Sequence, residues 1–142
     1  MNLEKPMAQK LIDMAIKARD MAYAPYSGFK VGAALLSKSD KIYMGCNIES
    51  ASYTPSNCAE RTAFFKAVSE GDKDFLAIAV VGAPEGENIN RLCPPCGVCR
   101  QVMMEFCDPD NFEILQLDED KNVKSFTLKE LLPMGFGPKS LI

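Results

Sequence analysis

The sequence predicts a three-layer α/β/α sandwich with a five-stranded mixed sheet at its centre. Three observations lead there: an apolar stripe at helical spacing near the N-terminus, an almost wholly apolar strand-length run in mid-chain, and an element order of helix, two strands, helix, strand, helix, two strands. With 142 residues, 47% hydrophobic and 25% charged, the chain can bury about two-thirds of its unfolded surface, so residues 1–142 read as one domain.

Residues 6 to about 22 carry Met7, Leu11, Met14, Ala15, Ala18 and Met21 at intervals of three and four, which is a helix with one buried stripe. Tyr23-Ala24-Pro25-Tyr26-Ser27-Gly28 ends it. Residues 29–36 and 42–46 are short apolar runs joined by the polar Ser37-Lys38-Ser39-Asp40-Lys41, a hairpin. Residues 47–56 are polar and small, and read as a loop. A second helix is expected from Ser56-Asn57 to about Glu70, with Ala63, Phe64, Ala67 and Val68 inward and Gly71 as its stop. The run 75–81 is apolar on both faces, as for a strand covered by helices on each side. A loop over 82–95, a third helix over 97–106, strands over 112–117 and 123–126, and a helical turn over 128–132 complete the order. Pro133-Met134-Gly135-Phe136-Gly137-Pro138 follows as a rigid arm.

A net charge of -3 with scattered basic residues leaves no footprint for nucleic acid. The N-terminus lacks a stretch of signal length, and nothing approaches the roughly 20 apolar residues that span a bilayer, so a cytoplasmic protein without a membrane partner is expected. Six cysteines there stay reduced, and clustered ones read as metal ligands or reactive thiols. The chain contains no histidine. That removes serine-histidine triads, cysteine-histidine nucleophiles and imidazole-ligated metals, leaving thiolates and carboxylates for any chemistry.

Two segments carry such groups: Asn57-Cys58-Ala59-Glu60-Arg61 and Pro95-Cys96-Gly97-Val98-Cys99-Arg100-Gln101, each at the start of a helix. The unpaired amides and positive dipole end there favour the thiolate form that binds a metal. Cys96 and Cys99, three apart, share a helix face. Three thiolates without a fourth protein ligand describe a catalytic zinc site, because the open tetrahedral position takes a water whose pKa the metal lowers. A hydrolytic reaction is implied. Three thiolates also make the metal a weak Lewis acid, and Arg61 is placed to hydrogen-bond the sulfurs and drain that charge. Without histidine, Glu60 is the candidate proton carrier.

Plainer readings stand beside these. Glu60 three residues after Asn57 is also a capping-box pattern. A C-x-x-C pair serves structural zinc knuckles and redox sites, and Cys93, Cys96 and Cys99 partly imitate an iron-sulfur motif, although Cys107 lies eight positions on rather than four. A non-catalytic zinc or iron-sulfur module is therefore an alternative. Cys46, Cys93 and Cys107 read as packing residues, and Phe29 and Phe136, taken singly, as core.

Cys58-x-Glu60 with Pro95-Cys96-x-x-Cys99 matches the signature of the zinc-dependent nucleobase deaminases, with cysteine in place of histidine. Over nearly its whole length the chain resembles the small, homotetrameric cytidine deaminases. The matching blocks are Ala24-Pro25-Tyr26-Ser27-x-Phe29-x-Val31-Gly32-Ala33-Ala34-Leu35, Gly45-x-Asn47-x-Glu49, Cys58-Ala59-Glu60-Arg61, Pro95-Cys96-Gly97-x-Cys99-Arg100-Gln101 and Leu131-Leu132-Pro133-x-x-Phe136-Gly137-Pro138. The resemblance implies one zinc per chain, held by Cys58, Cys96 and Cys99, and hydrolysis of free cytidine and deoxycytidine at C4 in pyrimidine salvage, with Glu60 as the proton shuttle. It implies that Asn47 and Glu49 hold the ribose, that Phe29 packs on the nucleoside, and that the backbone near Ala59 and Cys96 reads the pyrimidine. A carboxylate at the sugar also repels a phosphate, which favours a nucleoside over a nucleotide. The resemblance further implies a homotetramer with shared active sites, in which Ala51, Tyr53 and Phe136 come from other subunits. Ser50 and Thr54-Pro55-Ser56 depart from the family's usual residues, as does the Cys93-Pro94-Pro95 approach to the second segment. A blasticidin-type nucleoside deaminase is the rival within the same chemistry.

Overall fold

Side-chain alternation along the strands decides which helix covers which face of the sheet. The computed structural model describes residues 2–142. It contains α1 (Lys5–Arg19), β1 (Phe29–Ser37), β2 (Ile42–Cys46), α2 (Ala59–Ser69), β3 (Phe75–Pro84), α3 (Gly97–Phe106), β4 (Glu113–Leu117), β5 (Val123–Thr127) and the short α4 (Leu128–Leu131), with a 3-10 turn at Pro138–Ser140. The five strands form one sheet in the order β2-β1-β3-β4-β5. Only β3 and β4 are parallel neighbours, so the sheet is mixed as expected.

On one face Ala34 and Leu36 of β1, Ala77, Ala79 and Val81 of β3 and Leu115 of β4 pack under α1. On the other, Ala33 and Leu35, Ile78 and Val80, and Ile114 meet Ala63 and Phe64 of α2 and Met103 of α3. Strands β1, β3 and β4 thus each feed two cores, which explains the unbroken apolar run in β3. Two glycines set the helix distances. A Cβ on Gly32 would lie 1.9 Å from the Ala15 carbonyl oxygen of α1, and one on Gly45 would lie 2.4 Å from that of Ala59 in α2.

Three boundaries differ from expectation for physical reasons. α1 ends at Arg19, and Met21 is 78% exposed. Its buried stripe is Ala8, Leu11, Ile12, Ala15 and Ala18, because the close approach to Gly32 admits small side chains and turns Met7 and Met14 to the rim. α2 begins at Ala59 rather than at Ser56-Asn57, since Asn57 exchanges both backbone hydrogen bonds with Ile48 and is held extended. β3 runs on to Pro84 because β1 pairs with it along its whole length, from Phe29↔Pro84 to Ser37↔Phe75. Among the described residues, no helix is long and apolar enough to cross a membrane.

Candidate metal centre

Two helix starts bring the chemistry together. Cys58 is the N-cap of α2 and Cys96 the N-cap of α3, and neither side chain caps its helix. A serine or aspartate in those places would turn its oxygen back onto the amides; both sulfurs are instead free for a metal. Cys99 follows one turn into α3, 1% exposed. The three sulfurs lie within 4.8 Å of one another, and Cys58 Sγ to Cys96 Sγ is 3.8 Å. Tetrahedral zinc with bonds of about 2.3 Å sets its sulfurs roughly 3.8 Å apart, so the donor set fits zinc in both spacing and softness. Among the described residues the cluster has these three members alone; Cys93 is not one of them.

The electrostatics suit metal binding. The neighbouring Cys99 thiol, with Arg61 and Cys96, holds the Cys58 pKa well below that of a free thiol. The Cys58 sulfur beside it, with burial, pushes Cys99 up. Cys58 thus waits as an anion beside a proton that a metal can displace. Arg61 donates from Nη2 to Cys58 Sγ at 3.3 Å. Burial would lower the Arg61 pKa, but its bond to Cys58 and the nearby Cys99 sulfur outweigh this and fix the cation.

Glu60, 4% exposed, lies two residues from Cys58. Burial raises its carboxyl to about 7, against the lowering hydrogen bond of its own backbone, and the Cys58 charge adds to the rise. No capping box forms: the Asn57 amide donates to Thr62 Oγ1 at 3.3 Å instead. Thr62 Oγ1 in turn donates toward the Cys46 carbonyl, 3.0 Å, and the Cys58 carbonyl, 3.1 Å, tying β2 to the start of α2. A cavity of about 330 Å³ opens over this cluster, lined among others by Asn47, Glu49, Cys58, Glu60, Cys93 and Cys96. That volume lies at the small end of the range for ligand sites.

The family model for the cytidine and deoxycytidylate deaminase zinc-binding region matches residues 5–112. The chain belongs to this family. A cytidine deaminase of Halalkalibacterium halodurans is 51% identical over 128 residues, covering 90% of this chain and 92% of that protein. One from Sporosarcina psychrophila is 47% identical over 133 residues, covering 94% and 93%. The crystal structure of a cytidine deaminase from Burkholderia pseudomallei superposes with a TM-score of 0.80 at 45% identity, covering 90% of this chain and 98% of that one. Family and geometry agree on a three-thiolate zinc site, one per chain.

The remaining residues of the family pattern are not all gathered there. Asn47 and Glu49 line the cavity, yet both also brace the fold. Asn47 Oδ1 accepts from Val31 N–H and its Nδ2 donates to the Phe29 carbonyl, each at 2.8 Å. Glu49 Oε1 accepts from Tyr26 and Ser27 N–H at 3.1 Å, and its other oxygen accepts from the Ser27 hydroxyl. These bonds hold the Glu49 carboxyl below its usual range. Phe29 places its ring against Gly82 beside Cys93 rather than in the cavity wall. Ala51 and Tyr53 sit on an exposed loop, with Tyr53 75% exposed at φ +63°, and Phe136 is 59% exposed on the C-terminal arm, where its carbonyl accepts from Gln101 Nε2. Sequence reasoning missed Cys93 as a lining residue, Thr62 as a tie, and Gln116, a buried amide on β4. Gln116 had a signal: it is the lone amide in an apolar strand.

Proposed function

We infer that the chain catalyses hydrolytic deamination of free cytidine and deoxycytidine, water displacing the C4 amino group to give uridine or deoxyuridine and ammonia. One catalytic domain over residues 1–142 carries the reaction. The observation that bears most weight is the convergence of three thiols from two helix starts at a cavity that also holds a buried carboxylate. When bound, zinc supplies an acidified water at neutral pH and a Lewis acid. Arg61 draws charge from the sulfurs through its bond to Cys58. Glu60 takes the proton of the attacking water on its carboxylate, passes it to ring N3, and later protonates the departing amine.

The second hydrogen of Asn47 Nδ2, and the lone pairs that the braced Glu49 retains, suit a ribose diol. The Glu49 charge works against a 5′-phosphate, so a nucleoside is the substrate and nucleic acid is not a partner. The site is open on its sugar side. Ala51, Tyr53 and Phe136, too exposed to serve the cavity of their own chain, complete the sites of neighbouring subunits in a homotetramer. The protein works in the cytoplasm, where its thiols stay reduced.

The test is direct. Purified protein incubated with cytidine should yield equal amounts of uridine and ammonia, and a chelator should abolish both. Blasticidin S turned over in preference to cytidine would instead establish the rival substrate. A chain that holds zinc but deaminates neither would be the non-catalytic module.

A further inference from the structure

Cys96 is the exposed member of the thiol cluster, so burial alone does not hold it in place. Its neighbours Cys93-Pro94-Pro95 form an unusual approach, because prolines carry no N–H and fix φ. Within Cys93-Pro94-Pro95 the backbone therefore offers a single donor for anchoring the segment, the Cys93 N–H. That donor is taken by Gln116 of β4, whose Oε1 accepts it at 2.6 Å. At the other end the Pro95 carbonyl accepts from Arg100 Nε at 2.7 Å. Gln116 is 1% exposed, and its Nε2 has no protein partner among the described residues. An amide buried with an idle donor is a poor way to fill space among Ile114, Leu115 and Leu117. The bond it makes to Cys93 is the reason such a residue can stand there.

We propose that Gln116 is a positioning residue for the metal site, anchoring a rigid Cys93-Pro94-Pro95 strut that holds Cys96 at the spacing zinc requires. The strut runs from β4 to the N-cap of α3, so its stiffness is passed to the ligand least supported by burial. This rests on the reading of Cys58, Cys96 and Cys99 as zinc ligands.

The experiment measures zinc release from the loaded protein to a chromogenic chelator, with zinc content and thermal stability recorded alongside. Gln116→Met keeps the volume and removes the acceptor. It should speed release roughly tenfold, the low end of effects for groups that orient metal ligands, and alter the thiolate charge-transfer bands of the cobalt-substituted protein. Gln116→Glu, which keeps an acceptor oxygen, should restore most of the wild-type retention. Ile114→Val, on the same face of β4 but away from the strut, should lower stability without moving zinc release. Pro94→Gly tests the strut from the exposed side, where folding is not at stake, and should also speed release. Release at the wild-type rate in both Gln116→Met and Pro94→Gly overturns the strut while leaving the zinc reading intact. A wild-type chain without zinc overturns both.

Discussion

The cavity has two halves built on different principles. The metal half is made from helix starts and buried groups: Cys99 and Glu60 are 1% and 4% exposed, and the thiols, the Glu60 carboxyl and the Arg61 guanidinium act on one another. The half proposed to take the sugar is made from the segment 47–57, where Asn47 and Glu49 commit hydrogen bonds to holding the chain, and in an adjoining pocket that shares Glu49 and Ser56 the rings of Tyr26 and Tyr53 stand 54% and 75% exposed. The contrast teaches that the groups at the metal cluster are preorganised within one chain, whereas the half proposed to take the sugar presents exposed rings to the surface, where the proposed assembly would supply the rest.

The largest effect should come from the metal half. Glu60→Gln keeps the shape and removes the proposed proton carrier, so kcat should fall by about 10² to 10⁴, equivalent to about 3–5 kcal/mol of barrier, with zinc per chain unchanged. Steady-state kinetics beside metal analysis checks both. Loss of zinc in that variant would mean that Glu60 supports the site rather than the reaction. Next comes the sugar half. Deleting residues 133–142 removes Phe136 and leaves the zinc cluster untouched, so if Phe136 completes a neighbouring site as proposed, KM should rise about tenfold, equivalent to about 1.4 kcal/mol. Light scattering should show a smaller assembly. A truncated chain of unchanged mass and activity would make each cavity self-sufficient and erase the contrast between the halves.

The same division governs what could be read in the sequence. The cysteine spacing, the zero count of histidine and the glutamate beside Cys58 are local facts, and helix periodicity was enough to place them at two helix starts. The strand run 75–81 likewise announced a doubly covered sheet. What stayed hidden depended on pairings distant in sequence. The extended backbone of Asn57, which moves the start of α2 onto Cys58, comes from its pairing with Ile48 in a loop without periodicity. The bracing roles of Asn47 and Glu49 come from β1 and the turn before it, 16 to 23 residues away. Gln116 reaches a backbone N–H 23 residues back, in the loop that leads to α3.

A third expectation compares the two faces of the sheet to ask how far the metal half depends on packing. Gly32→Ala and Gly45→Ala each force a Cβ against backbone of a covering helix, α1 in one case and α2 in the other. Both should cost about 1–3 kcal/mol in unfolding free energy. Only Gly45→Ala displaces the helix that carries Cys58, Glu60 and Arg61, so only it should weaken zinc retention at temperatures where both variants remain folded. Equal retention in the two would show that the cluster adjusts independently of the helix seat.

The smallest effect belongs to Glu49 and concerns pH. Its carboxylate accepts three hydrogen bonds from Tyr26 and Ser27, which depress its folded pKa below the unfolded value. A group shifted in that direction stabilises the fold at pH values above its unfolded pKa, and the contribution disappears as pH falls through the folded one. Glu49→Gln should therefore melt slightly lower than the wild type from neutral pH down to about pH 5, with the two curves converging in more acidic buffer as the wild-type carboxyl takes up its proton. The amide keeps one acceptor oxygen, so the turn loosens without unfolding, and the gap in Tm should be small. A gap that persists undiminished at low pH would show that the turn is held by the shape of the side chain rather than by its charge, and Glu49 would then be free to lend that charge wholly to the sugar.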